Sequence, residues 1–309
     1  MASEEWEGRA SDELAWNAYR RFLAAEGKSG DTIGGYRRAL QLLSRHLPDG
    51  VTLETMTAVH VAGWLEAGRD GWAHSTLASY SRRARTYCLW AHRAGYADAN
   101  PMSVLKPVRE HLAETVIPDP GDIRKVADLL GRGRDFESRR DWAIVCLLAE
   151  AGTPRATELA ELTADCLDLR HDQLRFWGKG GLERTIPLGA ATCRALTLYL
   201  RARAQHRCAG LPWLFLGRKG KMTRHGVRQM LGRRCRQAGV KAIPPHHFRH
   251  LTAHTFMDRG GSEADAMKLY GWRTPLMASH YGASAAGARA VRHAREMSIG
   301  DAILTGKPS

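Results

Sequence analysis

Two stretches in the first third of the chain carry apolar residues at helical spacing, and that rhythm constrains the fold more than any other feature. In "DTIGGYRRALQLLSRHL", Ile33, Tyr36, Leu40, Leu43 and Leu47 recur at steps of 3, 4, 3 and 4, which is one face of an α-helix. The same beat returns in "STLASYSRRARTYCLWAHRAGY" through Leu77, Tyr80, Ala84, Tyr87 and Ala91. A shorter helix, "DELAWNAYRRFLAAEG", precedes them and ends at Gly27, and another helical piece lies around Val61 to Leu65. Four amphipathic helices predict a small helical domain over residues 1–106.

Asn100-Pro101 is expected to stop the second long helix, because the residue before proline is pushed out of the α region. The proline-rich run that follows predicts a linker at 107–119 and a second domain over 120–309. There "RRDWAIVCLLAEAG" is apolar nearly all round and reads as a buried helix. In "DQLRFWGKGGLERTIPLG" two alternating runs flank a glycine-rich turn, the pattern of a β-hairpin. The fold class expected is mainly α (α+β): a helical N-terminal domain and a larger, mostly helical domain with a small antiparallel sheet.

Charge narrows the function. Lys and Arg number 46 against 32 Asp and Glu, a formal +14, which suits a polyanionic partner such as nucleic acid; solubility alone is the other reading. Only nine of those cations are lysines, and arginine grips phosphate oxygens in pairs. Off the apolar stripes lie Arg37, Arg38, Arg82, Arg83 and Arg85, either a solvated face or contacts to DNA. The longest apolar run, Ala143 to Ala149, is too short for a bilayer, and the acidic N-terminus lacks a secretory core. The six cysteines form no CxxC pair and read as reduced thiols. His206-x-Cys208 offers too few ligands for zinc. A cytoplasmic protein without metal or cofactor is expected.

Several polar residues sit where a core has no use for them. In "AGTPRATEL", Thr153 is a plausible N-cap with Pro154 at the first helical position, so Arg155 would lie in the opening turn and address an anion with the free N–H groups. Glu158 would share its face and hold it; a surface ion pair is the plainer alternative. In "PPHHFRHLTAHTF", His246 and Arg249 stand at i, i+3 on one helical face, with His250 one turn from His246. Lys179 sits in the hairpin turn; Gln173 occupies the place of a P-loop's first glycine, so that motif is excluded. Trp272 precedes Tyr281 by nine positions in "GWRTPLMASHYG".

In the order Arg155, Lys179, His246-x-x-Arg249, Trp272 and Tyr281, these residues resemble the tyrosine recombinase (phage integrase) family. "GTPRATELAEL" is similar to its first arginine box, "WGKGGLERTIPL" to its lysine hairpin, "PHHFRHLTAHTF" to its H-x-[LF]-R-H box and "LYGWRTPLMASHYGAS" to its nucleophile box. Thr153 and Pro154 depart from the usual glycine and aliphatic residue, and Trp272 stands where histidine is commoner. The helical first third resembles the family's core-binding domain, and no separate arm-binding domain is expected ahead of Asp12.

The resemblance implies a site-specific recombinase that cleaves and rejoins DNA through a 3′-phosphotyrosine on Tyr281. Arg155, Arg249, His246 and Trp272 would surround the phosphate, Lys179 would act as general acid, and Glu158 and His250 would support them. It implies double-stranded DNA as partner, a homotetramer on DNA and an accessory directionality factor, with integration or excision of a phage or mobile element as the use. The alternatives are type IB topoisomerase-like relaxation and a catalytically silent DNA-binding regulator. The alanine-rich tail after Tyr281 either docks on a neighbouring protomer or packs on its own domain.

Overall fold

The computed structural model describes residues 6–109, 116–178 and 181–275, and of the tail residues 287, 290–291, 294–298 and 303–304. The chain divides into two compact units, Met1–Ala113 and Glu114–Ser309.

The first unit holds α1 (Glu13–Ala25), α2 (Gly30–His46), α3 (Ala58–Gly71) and α4 (His74–Arg93). The two apolar stripes face one another: Leu40, Leu43 and Leu47 of the first, and Leu77, Ala84, Tyr87 and Ala91 of the second, are buried. Their meeting point is aromatic. The Tyr19 ring of α1 lies 5.5 Å from Tyr36, 5.2 Å from Tyr87 and 4.8 Å from Trp90. Asp12, fully buried ahead of α1, accepts hydrogen bonds from the Leu53 N–H at 2.7 Å and from Ser44 Oγ at 2.5 Å. One carboxylate thereby ties the entry of α1 to α2 and to the chain beyond it.

α4 ends earlier than expected. It stops at Arg93, and Gly95 turns the chain at φ +76°, with Asn100-Pro101 in the loop that follows. A glycine that enters the left-handed region without steric cost ends the helix before the proline can.

The second unit begins with α5 (Pro120–Gly131) and α6 (Phe136–Leu148), which start at the capping carboxylates Asp119 and Asp135. α6 is the central element: Ala143, Ile144, Val145, Leu147 and Leu148 have no exposed surface. After α7 (Ala156–Glu161) come β1 (Leu167–Asp168), β2 (Gln173–Trp177) and β3 (Glu183–Pro187), an antiparallel sheet in that order. β2 and β3 are the expected hairpin, paired from Gln173↔Pro187 to Trp177↔Glu183. Burial alternates along it, so Leu174, Phe176, Arg184 and Ile186 all point inward. An arginine in that apolar register is the anomaly of the sheet.

α8 (Ala190–Ala204) packs along α6, followed by a two-stranded ladder, β4 (Leu216–Gly217) and β5 (Gly220–Lys221), that the sequence did not announce. α9 (Arg224–Gln237), α10 (Pro245–Asp258) and α11 (Glu263–Tyr270) complete the described part. His206 stacks on Phe136 at 4.4 Å, and its Nδ1 accepts from the Cys208 N–H, so both residues serve a local turn. Among the described residues no helix is long and apolar enough to cross a membrane.

Candidate active site

The site assembles in the second unit from three turns and one helix. Arg155 lies in the first turn, in extended conformation at φ −64°, ψ 156°, as the N-cap of α7. This corrects the expected start at Thr153 and Pro154. The Glu158 carboxylate captures the Arg155 backbone N–H at 2.8 Å through Oε2 and its Nη1 at 2.8 Å through Oε1, so the helix opens one residue after the arginine. Thr153 is buried instead. The Arg155 side chain is about a third exposed.

Glu158 is itself buried. Burial raises its pKa, but the Arg155 N–H and the charges of Arg184 and Arg155 outweigh that and hold the carboxyl below its ordinary value. Arg184 supplies the second charge at 2.5 Å from Oε2. The α2-to-α4 kind of periodicity that located the helices says nothing of this residue, but β alternation does: Arg184 shares its face with Ile186.

α10 carries His246 and Arg249. Arg249 is 5% exposed and donates through Nη1 to the Thr153 carbonyl at 2.6 Å and through Nη2 to the Tyr270 carbonyl. Those acceptors lie two residues before Arg155 and two before Trp272. One guanidinium therefore binds together the turn that presents Arg155 and the turn that presents Trp272. His246 sits exposed in the first turn of α10, its ring 4.4 Å from His247 and 6.0 Å from His250. Partial desolvation, then His247 and Arg228, push its pKa below the ordinary histidine value, which favours the neutral ring at neutral pH. His250 stands half-buried one turn further on.

α11 ends at Gly271 in the left-handed region, φ +61°, and the turn lays Trp272 on Tyr270, rings stacked at 4.9 Å and 17°. Trp272 is 5% exposed. Lys179 and Tyr281 lie outside the described residues. Their nearest described neighbours are Gly178 and Pro275. Gly178 closes β2 against this cluster: a Cβ there would come 3.1 Å from Arg184 Nε and 3.3 Å from Glu158 Oε1.

With this geometry in view, residues 119–287 match the phage integrase family and residues 17–95 its N-terminal SAM-like domain. The chain belongs to the phage integrase family. It is a tyrosine site-specific recombinase, an enzyme of DNA strand breakage and rejoining. Tyrosine recombinase XerC of Chromobacterium violaceum is 32% identical over 267 residues, 82% of this chain and 85% of that protein. Its namesake from Corynebacterium efficiens is 29% identical over 252 residues, 79% and 78% of the two chains. Among solved structures, the Tn1549 transposon integrase in complex with transposon right end DNA superposes with a TM-score of 0.72 at 18% identity, covering 92% of this chain and 99% of that one. A lambda integrase dimer bound to a COC′ core site gives 0.68 at 16%, covering 87% and 94%. At such identities the likeness is one of fold.

In the helical unit, Arg38 and Arg82 are exposed, while Arg37 and Arg83 are half-buried. Arg83 lies across Gly35, where an added Cβ would come 2.8 Å from its Nη2. Arg85 donates to the Met102 and Leu105 carbonyls at 2.6 and 2.7 Å, tying down the chain after α4.

Proposed function

We propose that this recombinase exchanges strands between two DNA duplexes through a 3′-phosphotyrosine on Tyr281. A phenol with a pKa near ~10 is a poor nucleophile at neutral pH, so the site must stabilise charge on the phosphate as Tyr281 attacks. Arg155 and Arg249 clamp the non-bridging oxygens, and His246 and the Trp272 indole N–H donate further hydrogen bonds. Lys179 protonates the departing 5′-oxygen. Glu158 orients Arg155, and His250 supports the first turn of α10. The 5′-hydroxyl of a partner strand then attacks the phosphotyrosine, which restores the diester and frees the tyrosine.

One observation carries the reading: the Arg249 guanidinium donates to the carbonyls of Thr153 and Tyr270. Residues more than a hundred positions apart in sequence are thereby drawn to one place, and each neighbours a residue that can address phosphate.

The helical unit serves as the core-type DNA-binding domain, with the exposed Arg38 and Arg82 among its DNA-facing cations. A tetramer on DNA is the assembly adopted, supported by a structural neighbour at 17% identity, a lambda integrase tetramer bound to a Holliday junction; the tail is read as joining its protomers. The expected use in phage or mobile-element integration is narrower than the relatives support, since those reported are named tyrosine recombinases; strand exchange itself is the reading adopted. A two-site plasmid assay tests it. Recombinant circles that vanish with Arg249→Ala are expected. Relaxation of supercoils without recombinants would instead point to type IB topoisomerase chemistry.

A further inference from the structure

We propose that Arg184 is a positioning residue for strand cleavage, the node that keeps the hairpin mouth at Gly178, the Arg155 turn and the Trp272 turn in register. This deepens the reading above and rests on it. Arg184 stands in β3 just past the hairpin turn, and its side chain is 2% exposed, its hydrogen bonds to Gly152, Leu269 and Glu158 all lying within the protein.

Its contacts reach all three segments. Nη2 binds Glu158 Oε2 at 2.5 Å, on the carboxylate that also holds the Arg155 N–H and guanidinium. Nη1 donates to the Leu269 carbonyl at 3.2 Å and the Gly152 carbonyl at 3.5 Å, which belong to the approaches to Trp272 and Arg155. At the hairpin mouth a Cβ on Gly178 would meet Nε at 3.1 Å, and a Cβ on Gly271 would meet Cδ at 3.0 Å. The turns before Lys179 and Trp272 therefore close directly onto this one side chain.

Stability alone does not account for it. A buried charge at an apolar strand position is costly, and well-packed hydrophobic residues often replace such pairs without loss. Among the described residues Nε is buried with no hydrogen-bond partner, a further cost. The guanidinium lies 4.5 Å over the Phe176 ring, so an aliphatic side chain would find apolar neighbours here. What it would lack is the second cation on Glu158. An ionised Glu158 that has lost this partner would draw harder on the Arg155 guanidinium, away from the phosphate, and the hairpin would lose its anchor.

The test uses the full-length chain and a nicked suicide duplex selected by that chain from a random library. Single-turnover adduct formation is followed for wild type, Arg184→Leu and Arg184→Lys, beside DNA affinity. A matched duplex carries a 5′-bridging sulfur, which departs without a proton and so makes the general acid dispensable. We expect Arg184→Leu to cleave about a hundredfold more slowly, the scale of a displaced catalytic group, with affinity unchanged. Arg184→Lys, which restores the charge but not the fork, should recover part of the rate. The sulfur substrate should narrow the defect, since Lys179 is no longer needed while Arg155 still is. If Arg184→Leu does not fold, Arg184→Lys should still lose rate and regain part of it on sulfur. Wild-type rates in the variants, or a defect of equal size on both substrates, would overturn the proposal. Absence of any wild-type adduct would instead overturn the function on which it rests.

Discussion

At the scale of single residues, Glu158 and Arg155 are unequal partners. Glu158 is buried between two cations, whereas the Arg155 side chain is about a third exposed. Removing the carboxylate leaves Arg184 charged and uncompensated in the interior, a loss on the order of 3–5 kcal/mol. Removing Arg155 leaves Glu158 paired with Arg184, so the cost should stay below about 1 kcal/mol, as for exposed pairs. Urea denaturation of Glu158→Ala and Arg155→Ala should show that order, with strand cleavage lost in both. Equal losses of stability would mean that Arg184 does not depend on Glu158.

At the scale of elements, the turns position the site through glycines whose surroundings differ. Gly152 sits at φ +78°, and a Cβ there would lie 2.6 Å from Ile186 Cγ2 and 3.0 Å from the Leu269 carbonyl. A Cβ on Gly181, at φ +74° in the hairpin turn, would meet nothing within 4 Å among the described residues. Gly181→Ala should therefore cost only the backbone term, about 1–2 kcal/mol. Gly152→Ala adds a steric clash between two packed elements and should cost more in the same denaturation assay; equal costs would refute the close approach. These elements were unevenly legible in the sequence. The hairpin could be read because alternation and a glycine-rich turn are local signals. The start of α7 could not, because a carboxylate three residues on decides which N–H is capped. β4 and β5, two residues each, are too short to carry a period. Arg184 was visible in principle as the polar member of an apolar register, but its meaning lies in Glu158, twenty-six positions away.

At the scale of the whole molecule, each unit has its own core. A fragment of residues 1–113 should unfold cooperatively by itself in circular dichroism; a non-cooperative melt would show that it needs the rest of the chain. The second unit should respond to acid in two stages. His206, His246 and His247 have folded pKa values below the ordinary histidine value of about 6.5. The unfolded chain therefore takes up protons first, and stability should fall as pH drops below about 6.5. Glu158, Asp135 and Asp165 are held low, and Asp168 at about 2. Their contribution is present above about 4 and lost as pH falls below it. Thermal midpoints measured from pH 8 to pH 3 should trace both stages; a midpoint rising between pH 7 and pH 5 would contradict the histidine assignment.

The boxes were readable because each pairs a reactive residue with a local pattern. Their convergence was not, since it depends on buried contacts such as that of Arg249 with carbonyls on two other turns. The central claim is that the phenol of Tyr281 becomes joined to DNA, and mapping the covalent complex tests it most directly. Wild-type protein trapped on a nicked suicide duplex should yield, after digestion and mass spectrometry, a peptide joined through Tyr281 to a 3′-phosphate, and Tyr281→Phe should yield none. An adduct on another residue, a 5′-linked phosphate, or an undiminished adduct in the phenylalanine variant would contradict the account.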